Sequence, residues 1–303
     1  MNTDRPMLGI LLMLGFCLVA TLSDGISKLL GTSLSVGLIV TARFGIQGAI
    51  LLPVALLTRR PTFVTGKTLG WVILRTLLHI SGTFLMITSL TYLPLADALA
   101  IVFVMPFFML FLGWAFLGEH VGIHRFLAVC FGFAGTILVF QPSFLAVGWP
   151  AVLPIMVAVL FALFILVTRK ISAETDPVGV QALSGLIAMP VLIPLLLFGG
   201  AMDMPSLTTT VPTNTEVNLL LIVGLLGTVG HLLMAWSVKL APTATLAAIQ
   251  YAEIPFATLF GWLLFKDFPN GMAGLGICMT IAAGLYVIHR ERAIAQLGTK
   301  ALQ

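Results

Sequence analysis

Ionisable and polar side chains inside long apolar stretches are the residues of this sequence that could do chemistry. Arg43 lies within an apolar run that begins near residue 36, and Glu253 lies near the middle of a later run, beside Gln250 and Tyr251. An ionisable group in the hydrocarbon of a membrane is costly unless it is paired or faces water, so each one is a candidate site. Arginine stays charged and can hold a carboxylate or phosphate through two parallel hydrogen bonds. This pattern predicts a substrate contact at Arg43.

Structural roles are the alternatives for these residues. The carboxylates that could form a structural ion pair with Arg43 are Asp24, Asp97 and Glu253. Gln47 follows Arg43 by one helical turn on the same face and could add an amide contact to a ligand. Glu253 could serve as a proton-coupling site, as a partner for a substrate amine, or as the structural partner of Arg43.

Two histidines and two phenylalanines are further candidates for lining a solute route. His79 and His231 each lie in mid-run, where an imidazole with an unperturbed pKa of about 6.5 could carry protons or could simply be a satisfied interior group. Phe103 and Phe107 flank Pro106. A proline in mid-span removes a backbone hydrogen bond, so the freed carbonyl could face a cavity, with a packing kink as the alternative.

Three charged residues lie near the ends of apolar runs. Asp24 and Lys28 are one helical turn apart and could form a gate or substrate contact, or could neutralise each other. Asp97 opens a run, where a carboxylate suits the N-terminus of a helix, so a structural cap competes with a site role.

Motifs for metal, cofactor or catalytic chemistry are missing from the sequence. Glu119-His120 with His124 is the nearest approach to a zinc motif, but Gly118 and Gly122 break the segment and no HExxH follows. There is no glycine-rich phosphate loop, no GxSxG and no CxxC. We therefore expect no metal, no cofactor and no catalytic residue.

Composition identifies the class of protein that holds these residues. Of the 303 residues, 59% are hydrophobic and 9% are charged, and the mean hydropathy is +1.13. A membrane-spanning helix needs about 20 apolar residues, and the sequence has ten such runs. They lie at about 7–29, 36–57, 69–90, 95–117, 124–141, 148–168, 177–198, 217–237, 243–264 and 271–289.

Lysine and arginine are distributed unevenly between the predicted loops, which predicts that both termini are cytoplasmic. The cations predicted on or near the inner side are Arg5, Arg59, Arg60, Lys67, Arg75, Arg125, Arg169, Lys170, Lys239, Arg290, Arg292 and Lys300. Only Lys28 and Lys266 lie near the outer side. Because the cations are spread over short loops without a basic stripe, nucleic acid is not an expected partner.

The stretch 82–119 returns, altered, 148 residues later. The matched pairs include Gly82 with Gly230, Leu85 with Leu233, Met86 with Met234, Ser89 with Ser237, Pro94 with Pro242, Ala96 with Ala244, Gly113 with Gly261 and Trp114 with Trp262. An odd number of spans in each copy inverts the second copy, which is a recurring plan of secondary transporters. We predict an all-α integral membrane protein with ten transmembrane helices in two inverted five-helix repeats, at 1–144 and 145–290, and a cytoplasmic tail at 291–303.

Short motifs at the ends of both copies resemble the EamA type of the drug/metabolite transporter superfamily. They are Pro106, Leu117-Gly118-Glu119 and Gly132-Phe133-Ala134-Gly135 in the first copy, and Pro255, Trp262, Asp267 and Gly284 in the second. The second copy departs from the pattern, because Lys266-Asp267 replaces the usual Gly-Glu pair and its proline is one position later. Asp24, Lys28 and Arg43 resemble a branch with riboflavin-like and S-adenosylmethionine-like uptake systems.

The resemblance implies transport of small organic metabolites through a central cavity lined mainly by spans 1–4 and 6–9. It implies packing or homodimer contacts for the fifth and tenth spans. We expect a secondary transporter in the cell inner membrane that moves a zwitterionic or polar aromatic solute, or next an organic anion, by alternating access, with H⁺ as a candidate coupling ion and lipid around it. The alternatives are an intramembrane enzyme acting on a small or lipid substrate, with His79 and Glu253 as a reactive pair, and a non-transporting membrane scaffold.

Overall fold

The computed structural model describes residues 5–118, 122–139 and 148–266, and beyond them only 275, 278–279, 281–283, 285–286 and 289–290. Eleven α-helices and two short 3₁₀ turns occur in the three main ranges, and these ranges contain no strand. The helices are α1 (Pro6–Leu30), α2 (Val36–Leu57), α3 (Gly66–Tyr92), α4 (Leu95–Val102), α5 (Met105–Leu117), α6 (Ile123–Val139), α7 (Val152–Ile171), α8 (Pro177–Ala201), α9 (Asn214–Leu240), α10 (Thr243–Gln250) and α11 (Glu253–Phe265).

Side chains at the loop boundaries explain where several of these helices begin. The Ser35 hydroxyl accepts a hydrogen bond from the backbone N–H of Leu38 at the start of α2. Asp176 accepts from two backbone N–H groups at the start of α8. Thr213 and Glu216 form a reciprocal capping box at the start of α9. These caps satisfy backbone donors that have no partner within their own helix.

Six helices are long and apolar enough to cross a membrane: α1, α2, α3, α7 with the turn before it, α8 and α9. They correspond to the first, second, third, sixth, seventh and eighth predicted spans, so the all-helical membrane fold class is confirmed. Most of the tenth predicted span and the tail at 291–303 lie outside the described residues.

The fourth and ninth predicted spans, at 95–117 and 243–264, are each broken into two helices, near the prolines for which the sequence predicts a freed carbonyl or a packing kink. The breaks lie between α4 and α5 and between α10 and α11. Pro106 and Pro255 have no N–H to continue the hydrogen-bond ladder across each break. Backbone hydrogen bonds between residues three apart, as in a 3₁₀ helix, form at the breaks instead. They run from Val104 N–H to Ile101 O and from Ala252 N–H to Ile249 O.

Each long helix of the first predicted repeat packs antiparallel on a long helix of the second. Along α1 and α9, Gly9 lies against Ala241 while Ser33 hydrogen-bonds Glu216. Along α3 and α7, Thr68 donates to Glu174. The α2 and α8 pair runs in the same opposed sense, and a Cβ atom on Gly185 would lie 2.7 Å from Gly48 Cα. The helices of the two predicted repeats, or halves, are therefore interleaved in one bundle.

Candidate functional site

A cavity lies where α1, α2, α3, α7, α9 and the two helix breaks meet. Its polar lining consists of Asp24, Arg43, Thr83, His231, Gln250 and Glu253, and its aromatic lining of Phe16, Phe161 and Phe164. The space open to water within it is about 60 Å³. One water needs about 10–15 Å³ of such space, so this conformation has room for a few waters. An organic solute would require the cavity to widen.

Arg43 and Asp24 form the charged pair of the cavity. Arg43 Nη1 lies 3.7 Å from Asp24 Oδ1 and donates to Ser27 Oγ at 3.2 Å. Gly227 of α9 faces the guanidinium, and a Cβ there would lie 3.4 Å from Arg43 Nε. Of the two proposed partner carboxylates whose side chains are described, Asp24 and Glu253, Asp24 is therefore the one within 4 Å of Arg43.

Gln250 and Glu253 lie on either side of the break between α10 and α11. Gln250 ends α10 with its side chain fully buried, and Glu253 begins α11 with 7% of its surface exposed. Within the described ranges, neither polar atom of the Gln250 side chain has a hydrogen-bond partner. Arg43–Asp24 and Arg60–Asp176 are the ion pairs found there, so Glu253 has no cation within 4 Å in the same ranges.

His79 and His231 meet between the two halves. Their Nε2 atoms are 2.8 Å apart, so one imidazole donates to the other. His231 lines the cavity, whereas His79 lies behind it and packs on the rings of Phe44 and Phe164. The sequence analysis treated the two histidines as separate candidates, and the structure joins them into one buried pair.

Several predicted site residues lie away from the cavity lining. Gln47 donates from Nε2 to Gln181 O at 2.8 Å, so its amide ties α2 to α8. Tyr251 is fully buried, donates to Val129 O and packs on Phe103, so these two aromatic rings form part of the core rather than of the cavity.

The three remaining candidates are also accounted for. Phe107 packs edge-on against Phe133 of α6, away from the cavity. Lys28 Nζ donates to Leu93 O at 2.6 Å, and the ion pairs of the described residues do not include Lys28 with Asp24, the alternative in which the two neutralise each other. Asp97 lies in the first turn of α4, as predicted, but its side chain is outside the description.

Arg75 is a buried polar centre that the sequence analysis did not name as a site. It was counted only among the cations on or near the inner side, and it lies within α3 and is fully buried. Its guanidinium donates to Thr168, Ser184 and Gln181 at 2.8–3.0 Å and lies 4.5 Å from the Phe164 ring centroid. Its spacing of one turn from His79 is the signal that could have placed it inside the bundle.

Other missed residues line the cavity itself. Thr83 has a buried hydroxyl without a described partner, and Phe16, Phe161 and Phe164 contribute rings from α1 and α7. Threonine and phenylalanine are common in apolar helices, so their types alone carry no signal for a cavity.

The segment with the zinc-like spacing shows no metal site in the part that is described. His124 Nδ1 lies 2.6 Å from the Tyr286 hydroxyl, and Glu119 and His120 lie outside the described residues. Across the described residues, no group of three histidine, cysteine or acidic side chains could hold a metal ion.

Comparison with known proteins supports a transport role. The model of the EamA-like transporter family matches residues 7–141 and again residues 148–289. A riboflavin transporter of Rhizobium johnstonii is 29% identical over 72% of this chain and 69% of its own length. An S-adenosylmethionine uptake transporter of Rickettsia bellii is 26% identical over 89% of both chains.

A solved crystal structure has the same fold. It covers 93% of this chain and 97% of its own length with a TM-score of 0.69, at 17% sequence identity. The double family match and the named relatives point to a transporter of small molecules and not to an enzyme, as the sequence predicted, and the apolar helices agree with a membrane protein. This chain is therefore a multi-pass membrane protein that belongs to the EamA-like transporter family.

Proposed function

We propose that this protein moves a small polar metabolite that carries an aromatic ring across the bacterial inner membrane by alternating access. The observation that carries the proposal is the cavity between the halves, with the Arg43–Asp24 pair, Glu253 and the unpartnered Gln250 amide beside phenylalanine rings. Polar groups without partners are costly in an apolar interior, so a solute that pairs with them is bound selectively.

The two predicted repeats, 1–144 and 145–290, are the moving parts of this proposal, with both termini in the cytoplasm. The antiparallel packing of α1 on α9, α2 on α8 and α3 on α7 supports an inverted arrangement. Inverted repeats allow one half to open inward in the way that its twin opens outward. Because the present cavity has room for only a few waters, binding of an organic solute requires a change of conformation.

Mixed charges in the cavity favour a zwitterionic or polar aromatic solute. The cation Arg43 suits an acidic or carbonyl group, while Asp24 and Glu253 suit an amine, and the phenylalanine rings suit a flat apolar surface. Relatives named for riboflavin and for S-adenosylmethionine supply the first two solutes to test. Glu253 is the proposed site of H⁺ coupling, since its carboxyl lines the cavity and no cation of the described residues lies within 4 Å of it.

Uptake into proteoliposomes tests the proposal. We expect saturable uptake of radiolabelled riboflavin or S-adenosylmethionine, and we expect Arg43→Ala to reduce it by at least about tenfold, because an arginine that holds a charged or carbonyl group directly contributes about 1.5–3 kcal/mol. Arg59→Ala, in an exposed loop, is the matched control and should transport normally. Size-exclusion profiles of the purified variants verify folding. Normal uptake by Arg43→Ala would contradict this site.

A further inference from the structure

We infer that the side-chain amide of Gln250 forms a pair of hydrogen bonds with the edge of a flat heterocycle. On that edge, an N–H donor and a carbonyl or ring-nitrogen acceptor are neighbours. This inference rests on the proposed function and assigns the chemical feature by which the cavity selects its solute. Two edges fit: the imide edge of a flavin-like ring and the amino-azine edge of an adenine-like ring.

The position of Gln250 is held by its neighbour rather than by its own side chain. Tyr251 donates to Val129 O at 3.2 Å, and its ring packs on Phe103 with centroids 5.7 Å apart. Gly132 of α6 lies so close that a Cβ there would be 2.7 Å from Tyr251 Cδ2. Because Tyr251 packs tightly against α6, it fixes the break between α10 and α11. Gln250 and Glu253, on either side of this break, therefore face the cavity.

The Gln250 amide has both of its hydrogen-bonding functions free. It is fully buried, and neither Nε2 nor Oε1 has a partner within the described ranges. Gln47 is a useful contrast, since it is equally enclosed but donates to Gln181 O at 2.8 Å. Among the described glutamines, Gln250 is the only one with both side-chain atoms unpartnered.

The donor and acceptor of an amide determine which ligand edge can pair with it. A carboxylate offers only acceptors and would leave Oε1 unpaired, while an ammonium offers only donors and would leave Nε2 unpaired. A neighbouring N–H and acceptor satisfy both atoms in one planar pair. Phe16, Phe161 and Phe164, which line the same cavity, can contact the faces of such a ring.

Methylation of the donor nitrogen, N3 of the flavin ring or the exocyclic N6 of adenine, tests the inference with the full-length protein. Two probe pairs are compared in equilibrium binding to purified protein: riboflavin with N3-methylriboflavin, and adenosine with N6,N6-dimethyladenosine. Each methyl derivative lacks the donor on the edge that Gln250 would read. We expect methylation to weaken binding of one pair by about 10- to 100-fold, as the loss of two paired neutral hydrogen bonds predicts. The pair whose binding is weakened by methylation shows which of the two ring edges Gln250 binds.

The variant arm separates an edge contact from a general effect of methylation. In Gln250→Leu, the two members of the sensitive pair should bind within about twofold of each other, because the apolar side chain cannot distinguish them. Gln47→Leu, the matched control, should keep the full methyl sensitivity. Gln250→Glu provides a second variant of nearly the same size that lacks the amide donor, and it should also lose affinity for the unmethylated ring.

Two outcomes would overturn the inference. The first is equal binding of both members of each pair by the wild-type protein. This result alone would overturn the inference, even where proteoliposomes show saturable uptake. The second is a loss of affinity on methylation of the probe that is as large in Gln250→Leu as in the wild-type protein. The proposed function fails separately, when no saturable uptake of any solute is seen.

Discussion

At the scale of single residues, Arg75 shows how a cation can be kept inside the bundle without a carboxylate. Among the described residues its partners are all neutral, namely two hydroxyls and an amide oxygen, together with the Phe164 ring. The planar guanidinium presents donors in several fixed directions, so it can join α3 to α7 and α8 at once. We interpret Arg75 as a structural junction between the halves.

Arg75→Lys tests that role. A lysine ammonium keeps the charge but cannot reach Thr168, Ser184 and Gln181 with the same fork, so at least two hydrogen bonds to buried groups are lost. We expect a destabilisation of about 2–4 kcal/mol, seen as a lower midpoint of unfolding in detergent. Arg59→Lys, in an exposed loop, is the control and should unfold like the wild type. An unchanged midpoint for Arg75→Lys would remove Arg75 from this structural role.

The sequence predicted charged members of the cavity better than aromatic ones. Arg43, Asp24 and Glu253 were chosen because charge inside an apolar run is rare and costly, and all three line the cavity. Tyr251 was chosen because it lies beside Glu253, and Phe103 because it lies near Pro106, but both rings pack in the core instead. Aromatic rings are frequent in membrane helices, and only the local backbone decides which way such a ring points.

At the scale of elements, the breaks between α4 and α5 and between α10 and α11 explain why Phe103 and Tyr251 point into the core. The sequence places Pro106 and Pro255 one position out of register, yet the breaks themselves are in register at an offset of 148 residues: α4 and α10 end at Val102 and Gln250. The prolines explain why the helices break but not where. Hydropathy cannot detect the breaks, because both segments remain apolar throughout, so only the prolines indicated a disruption within each span.

Close contact between α2 and α8 gives a prediction at the same scale. A methyl group on Gly185 would lie 2.7 Å from both Cα and N of Gly48, and a backbone cannot move aside as a flexible side chain can. We expect Gly185→Ala to separate the helices and to destabilise the protein by about 1–3 kcal/mol, which is typical of overpacking. Thermal unfolding in detergent measures this change.

Gly70→Ala is the matched control for that substitution. Gly70 is also helical, but a Cβ there would meet nothing within 4 Å. Its midpoint should stay the same or rise slightly, because alanine favours the helix. If Gly185→Ala were as stable as Gly70→Ala, the close approach of the two helices would not contribute to stability.

At the scale of the whole molecule, several polar contacts join the halves at the end predicted to face the cytoplasm. Arg60 forms an ion pair with Asp176 at 2.9 Å, and Thr68 donates to Glu174 at 2.6 Å. The Arg75 junction lies further inside at the same end. Because any inward-open state must separate these groups, we propose that they keep this end closed in the present conformation.

A reversible crosslink at this end tests alternating access directly. Arg60→Cys and Asp176→Cys are introduced after the native cysteines, Cys17, Cys130 and Cys278, have been replaced. A short, reducible bis-thiol reagent then joins the two halves. We expect uptake into proteoliposomes to fall at least about tenfold and to recover on reduction, because a solute cannot reach the inner side while this end is held shut.

A second cysteine pair separates the loss of motion from the effect of chemical modification. Arg60→Cys with Thr68→Cys lies at the same end but within the first predicted repeat, so its crosslink leaves the two halves free to move apart. Uptake by that pair should survive crosslinking, with the extent of reaction measured by mass spectrometry. Full crosslinking of the Arg60–Asp176 pair with undiminished uptake would mean that transport does not require this end to open, and the two-halves mechanism would then be wrong.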